Sequence, residues 1–309
     1  MSFFRNSRLV IDWHNYGYSI LALKLGEQHP LVSISKGYES WLAGTAHINL
    51  TVSRAMERQL KRQFRQATST FTLYDRPRRA FLENLAGDDY QILHRLPETM
   101  PFADRVVNGS MRLVVSCTSW TADEDFSILL DALVGYSNLA TSSHPQLPEL
   151  LVVITGKGPQ KDDYLKQITK LKSSDALEMV NIKTAWLDEL DYPKLLRAAN
   201  LGVCLHKSSS GVDLPMKVID MFSAGLPVFA WSMYESFPEL VKEGVNGRGF
   251  GSAEDLQTLF VQLLGPDLSK LQALKRGAER EIFEKDWDTE WDSSLGKIIG
   301  CITEDKPAS

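Results

Sequence analysis

Cysteine is scarce in this chain, and its three copies, Cys117, Cys204 and Cys301, are too far apart to form a CxxC pair or a disulfide framework. Cys117 and Cys204 lie inside apolar runs that read as strands, so they are expected to be reduced core residues, which fits a cytosolic setting. No His-x-x-x-His spacing offers a zinc site. Long hydrophobic runs are missing as well. No window approaches the roughly 20 apolar residues of a membrane span, and Met1 is not followed by the apolar core of a signal peptide. There is no excess of positive charge: 34 Lys and Arg against 39 Asp and Glu give a formal net charge of −5, which argues against a general nucleic-acid partner. The one basic stretch, ERQLKRQFRQ at 57–66, reads as a solvated helix face. Repeats and low-complexity segments are absent, the tail TEDKPAS reads as frayed, and the sequons at Asn49 and Asn108 read as chance matches.

What is present is a chain of 309 residues, 43% hydrophobic and 24% charged, long enough for two domains. Strand-like runs at 8–12, 47–52 and 70–74, with a helix over 53–64 capped by Ser53, form a first α/β series. The pattern lapses over about 84–110, which reads as a linker. A second series follows, with strands at 111–116, 149–155, 178–183, 201–205 and 227–230. Helices separate them, over 123–139, 159–172, 188–200 and 215–223, then near 235–243 and 252–263. The expectation is an α/β protein with a partial N-terminal lobe at 1–105 and a complete doubly wound lobe at 106–309.

Ligands of such sheets bind beyond the carboxyl ends of the strands, and three loops there carry telling residues. SCTSWTADEDF follows 111–116, GKGP follows 149–155, and HKSSSGVDLPMKVID follows 201–205. The acidic DED at 123–125 reads as the first turn of a helix. In the third loop Ser209, Ser210 and Gly211 precede Pro215, a residue suited to the first position of a helix, and Lys217 and Asp220 share a face near that helix start. Free amides, hydroxyls and an ammonium there suit a phosphate, and a carboxylate one turn on suits paired sugar hydroxyls. Each feature has a plainer alternative. The glycines of GKGP serve any strand-to-helix turn, His206 is a polar residue at a strand end, Trp186 is core or the wall of a base pocket, and Lys217 and Asp220 are solvated charges on an amphipathic helix.

The ordered set GxGP, Pro-x-Lys-x-x-Asp and Gly-x-Pro-Val resembles the donor-binding domain of GT-B glycosyltransferases. VIDWHNYGYS, VSCTSWTADEDFSILLDAL, ITGKGP, TAWLDELDYPKLL and LGVCLHKSSSGVDLPMKVIDMF are similar to one family of these, the chitobiosyldiphosphodolichol β-mannosyltransferases, from about residue 8 to about 265. The resemblance implies two Rossmann-like lobes and inverting transfer of mannose from GDP-mannose to GlcNAc2-PP-dolichol, with a β-1,4 linkage. It places that reaction on the cytosolic face of the endoplasmic reticulum membrane, without a metal, in a pathway with other early-acting glycosyltransferases. It implies that Gly156, Lys157 and Gly158 line the phosphate side and that Ser209, Ser210 and Gly211 face the diphosphate. Lys217 would neutralise that diphosphate, and Asp220, shorter than the glutamate of many GT-B enzymes, would hold the ribose. His206 and Asp213 would face the mannose, and Trp186 or its neighbours the guanine. The first lobe must supply a base, for which Asp12 and His14 are the candidates. For Asp12 a helix cap is the alternative. The family's N-terminal membrane segment, first strand and glycine-rich acceptor loop have no counterpart before VIDWHN, so a shortened first lobe is expected. Two functions stand on that basis: an active mannosyltransferase, or a catalytically incompetent relative that binds GDP-mannose or partner transferases.

Overall fold

Residues 111–117 show why the second series folds as it does. Leu113 and Val115 enter one apolar core and Val114 enters another, so alternation along the strand loads both faces of a sheet. The structure is a computed structural model that describes residues 8–64, 69–77, 79–85, 90–284 and 287–298. Cys301 and the tail lie outside the described residues.

The chain begins with β1 (Val10–Trp13), α1 (Gly17–Leu25), α2 (Pro30–Thr45), β2 (Ile48–Thr51), α3 (Arg54–Gln63) and β3 (Thr70–Thr72). The three strands are parallel, in the order β1-β2-β3, and β1 is an edge whose Leu9 and Val10 side is exposed. Asn49, at a sequon, is fully buried in β2, where its side chain bonds Trp13 Nε1 at 2.9 Å and Ala43 O at 3.0 Å. After the short α4 (Arg79–Glu83), the stretch expected as a linker instead holds two more short α-helices, α5 (Gln91–Arg95) and α6 (Ala103–Val107). Ile92, Leu93, Leu96, Ala103 and Val106 in this stretch are buried against the second sheet, an apolar spacing that its polar residues and prolines disguise.

The second unit continues through β4 (Met111–Cys117), α7 (Phe126–Ser142), β5 (Glu149–Thr155), α8 (Lys161–Ser173), β6 (Val180–Ala185), α9 (Asp191–Ala198), β7 (Leu201–Cys204), α10 (Met216–Ser223), β8 (Val228–Trp231), α11 (Phe237–Leu240), β9 (Gly247–Phe250) and α12 (Ala253–Leu263). The sheet is all parallel, in the order β6-β5-β4-β7-β8-β9, the doubly wound arrangement expected for this half. β9 gave no strand signal because its sequence is GRGF. A Cβ at Gly247 would stand 2.3 Å from the Val228 carbonyl oxygen, so close strand pairing requires glycine there.

The C-terminal helices are α13 (Ser269–Glu284), α14 (Trp287–Ser293) and α15 (Leu295–Ile298), and the last two return to the first sheet. Trp291, Leu295 and Ile298 pack on Ile48, Leu50 and Leu73 of the first sheet. A parallel sheet must cover both faces, and the chain returns to do so. Among the described residues, no helix is long and apolar enough to cross a membrane.

The two units also meet at the start of α3. Ser53 caps that helix by accepting from Met56 N at 2.9 Å and donates to the Val212 carbonyl, while Val212 joins the core of Trp13, Tyr16 and Met56. The Glu239 carboxylate accepts from Arg54 N and Ala55 N, both at 2.7 Å, and from Tyr74 Oη at 2.9 Å. Glu239→Ala leaves two helix-start amides without this acceptor. It is expected to cost about 1 to 3 kcal/mol, read as a lowered urea midpoint with an unchanged m-value.

Candidate active site

The strand order reverses between β4 and β7, and the loops leaving those two strands and β5 form one crevice. The loop after β4 does not begin a helix at Asp123. α7 starts at Phe126, with Asp125 as its cap accepting from Ser127 N at 3.2 Å. Asp123 Oδ2 lies 3.3 Å from His206 Nδ1. Glu124 turns inward and is 1% exposed. One of its oxygens accepts from Thr118 Oγ1 at 2.6 Å and Ser119 N at 2.7 Å, and the other pairs with the Lys217 ammonium.

The glycines of GKGP admit protein before they admit ligand. Gly156 has φ 139°, and a Cβ there would lie 1.8 Å from the Thr118 carbonyl oxygen; at Gly158 the clash is with Ser119 O, also at 1.8 Å. Gly156 nonetheless borders a cavity of 280 Å³ between Thr118, Trp186, Tyr192 and Lys217, which Leu187 and Glu189 also line. Trp186 is exposed, and Lys157 Nζ stands 4.1 Å over its ring centre. Asp220, on α10, accepts from Tyr192 Oη at 3.2 Å, and that hydroxyl also lies 3.3 Å from Cys117 Sγ. Burial pushes the Cys117 thiol up to about 11 and the Tyr192 phenol well above its ordinary value, so both are neutral hydrogen-bonding groups at neutral pH.

The loop after β7 is organised by Asp213, which is 5% exposed. It accepts from His206 Nε2 at 2.8 Å, from Ser210 Oγ at 3.1 Å and from Ser208 Oγ. Burial alone would raise this carboxyl, but those donors hold it below 3.8. Burial would likewise lower His206, yet hydrogen bonds to Asp123 and Asp213 push it up to about 9. Ser209 faces the other unit, 3.2 Å from both Asn15 Nδ2 and Ser19 Oγ. Gly211, at φ 76°, turns the loop, and Pro215, extended at φ −73°, caps α10 just before Lys217.

Across the crevice Asp12 and His14 leave β1. Asp12 caps no helix; it accepts from His14 Nε2 at 3.1 Å, and His14 Nδ1 lies 3.5 Å from Asp75 Oδ2. Those two bonds, the one to Asp12 first, push the imidazole up to about 10. That shift favours the imidazolium at neutral pH. A second cavity of 510 Å³ opens beside Tyr18, Ser19, Lys36 and Gln63, and is closed on the other side by Ser209 and Ser210. Asp75, Glu124, Tyr192 and Asn15 escaped the sequence reading. Asp75 and Asn15 directly follow or adjoin strand ends, which was the available signal, whereas Glu124 was hidden in a run that looked helical.

A family model described as "Glycosyl transferases group 1" matches residues 120–265. A chitobiosyldiphosphodolichol β-mannosyltransferase of Arthroderma benhamiae is 54% identical over 303 residues, covering 97% of this chain and 67% of that protein. The chain belongs to this family. The protein of that name from Homo sapiens is 39% identical over 322 residues, 95% of this chain and 67% of the relative, and that of Yarrowia lipolytica is 40% identical over 97% of this chain and 63% of the relative. The chain thus spans about two thirds of the length of these curated relatives. Among solved structures, HepE of Anabaena in complex with UDP matches with TM-score 0.70 at 18% identity, over 97% of this chain and 74% of that one. A sucrose-phosphate synthase from Thermosynechococcus elongatus matches with TM-score 0.68 at 14% identity, over 94% and 67%. The fold is that of GT-B glycosyltransferases.

In this family member the His206 cluster links stability to pH. The raised His206 contributes in full below its ordinary 6.5 and loses its contribution as pH rises through about 9. Asp213, held below 3.8, contributes above that value and loses it as pH falls. The wild type is therefore expected to lose more unfolding free energy between pH 6.5 and 9 than His206→Gln does, by about 3 kcal/mol, measured by urea titration of the two proteins side by side.

Proposed function

We propose that this chain transfers mannose from GDP-mannose to the dolichol-linked chitobiosyl diphosphate, forming a β-1,4 bond with inversion. The observation that carries the reading is Lys217, which borders the 280 Å³ cavity at the switch point and stands in the first turn of α10. The donor diphosphate would lie against that ammonium and the amides of 209–211, with the ribose toward Asp220 and Tyr192 and the guanine toward Trp186 and Glu189. Lys157 over Trp186 favours a base stacked beside a cation.

The acceptor hydroxyl would attack the anomeric carbon from the side of the first unit. Its proton passes to Asp12, the carbon–oxygen bond to the diphosphate breaks, and the electron pair leaves with GDP. His14, as an imidazolium, orients Asp12 and offsets its charge. The cavity lined by Tyr18, Lys36 and Gln63 supports an acceptor site next to the serines of the donor loop. We expect the departing charge to be met by Lys217 and the helix start, with no divalent metal required. The relatives' names specify a dolichol-linked substrate, which supports work at the endoplasmic reticulum, and we place it at the cytosolic face of that membrane.

The test is transfer from GDP-mannose to a phytanyl diphosphate chitobiose in EDTA. Lys217→Ala is expected to weaken GDP binding by about 1.5 to 3 kcal/mol, measured by calorimetry; an unchanged affinity would remove the donor site from this cavity. Donor binding without transfer by the wild type would favour the incompetent relative. The pH profile of kcat/KM is expected to show no inflection at the ordinary histidine value of 6.5, because His14 stays protonated to about 10. A fall in rate as pH drops through 6.5 would make His14 the base instead of Asp12.

A further inference from the structure

Glu124 is a carboxylate with almost no exposure in a protein whose other acids mostly meet water, and the transfer chemistry above gives it no contact with substrate. Three elements converge on it. Its Oε2 holds the turn after β4 through Ser119 N and Thr118 Oγ1, at 2.7 and 2.6 Å. Thr118 Oγ1 in turn accepts from Trp120 N at 2.7 Å, and Trp120 keeps the left-handed φ of 48° that brings its indole over the chain to donate to Gly156 O at 3.3 Å. The Glu124 backbone bridges to His206 at the end of β7. Its Oε1 has Lys217 of α10. One oxygen is thus fixed by the β4 loop, and the other is left to place a single ammonium.

We propose that Glu124 is a positioning residue for the donor: it holds the Lys217 ammonium at the cavity wall so that its remaining N–H groups face the diphosphate. The inference rests on the donor-site reading above. Lysine is a point charge on a flexible four-carbon stem, with three donors and much rotamer freedom to lose. An ammonium tied at one N–H to a buried, immobile oxygen meets a diphosphate already ordered, so binding need not fix it. A buried carboxylate carries a desolvation cost that an apolar residue would avoid, and serving as a fixed acceptor for a functional cation accounts for its presence. The carboxylate cannot contact a nucleotide diphosphate itself, because its own charge and burial forbid it. Its influence must pass through Lys217.

That route makes the proposal separable from a purely structural role. GDP affinity is measured by calorimetry for the wild type, Glu124→Gln, Lys217→Ala and the double variant. Glu124→Gln is expected to weaken GDP about tenfold in the wild type and less than twofold in the Lys217→Ala background. Equal losses in both backgrounds, or no loss in either, overturn the proposal. Lys217→Arg gives a second reading that leaves the buried Glu124 in place. It keeps the charge but replaces the single ammonium with a planar fork, and about tenfold weaker GDP binding is expected. Wild-type affinity in Lys217→Arg would show that charge without placement suffices and would overturn the proposal even where Glu124→Gln fails to fold. Failure of the donor-site reading looks different: the wild type itself then binds no GDP.

Discussion

Asp213 is the anchor on which both halves of the molecule rely. A single buried carboxylate gathers His206, Ser208 and Ser210 into one closed turn. The residues on either side of it act in opposite directions. Before it, the serines face the crevice and the first unit; after it, Pro215 starts α10 and sets Lys217 at the cavity. Val212, its immediate neighbour, is driven into the core of Trp13, Tyr16 and Met56. The loop after β7 and the seam between the units are therefore the same piece of chain, and a disturbance in one is felt in the other.

Charge in the crevice is arranged in pairs before any ligand arrives. His206 lies between Asp123 and Asp213, His14 between Asp12 and Asp75, and Lys217 against Glu124. Fixed pairs of this kind need little reorganisation when charge develops beside them, which is the condition for electrostatic stabilisation of a transition state. They also explain why His206 and His14 are pushed above their ordinary value: a neutral imidazole could donate to only one of its two carboxylates.

The second sheet was readable because its strands are near-continuous apolar runs, as burial on both faces demands. Residues 149–155 were placed to the residue, and α10 within one. The first unit was read less well. Helices α1 and α2 were missed in 14–46, although Leu31, Ile34, Tyr38 and Trp41 recur at helical spacing; they are exposed, so that stripe of α2 lies on its outer side and not in a core. Strand β9 was invisible because glycine carries no strand signal, and α5 and α6 because each is only five residues long.

Composition, periodicity and loop chemistry by themselves determined the α/β class, the doubly wound half and the three loops that meet at the switch point, because each depends on residues close in sequence. They also determined that Lys217 and Asp220 share a helix face, which spacing alone guarantees. Partnership was decided only by the tertiary structure. Glu124 and Lys217 are far apart in the chain, as are Asp12 and Asp75 or Trp291 and Leu50, and no local pattern says which charge or apolar face will find which. The glycines of GKGP make the same point: the sequence required a tight turn, but only the packed loop shows that the backbone they admit is that of Thr118 and Ser119.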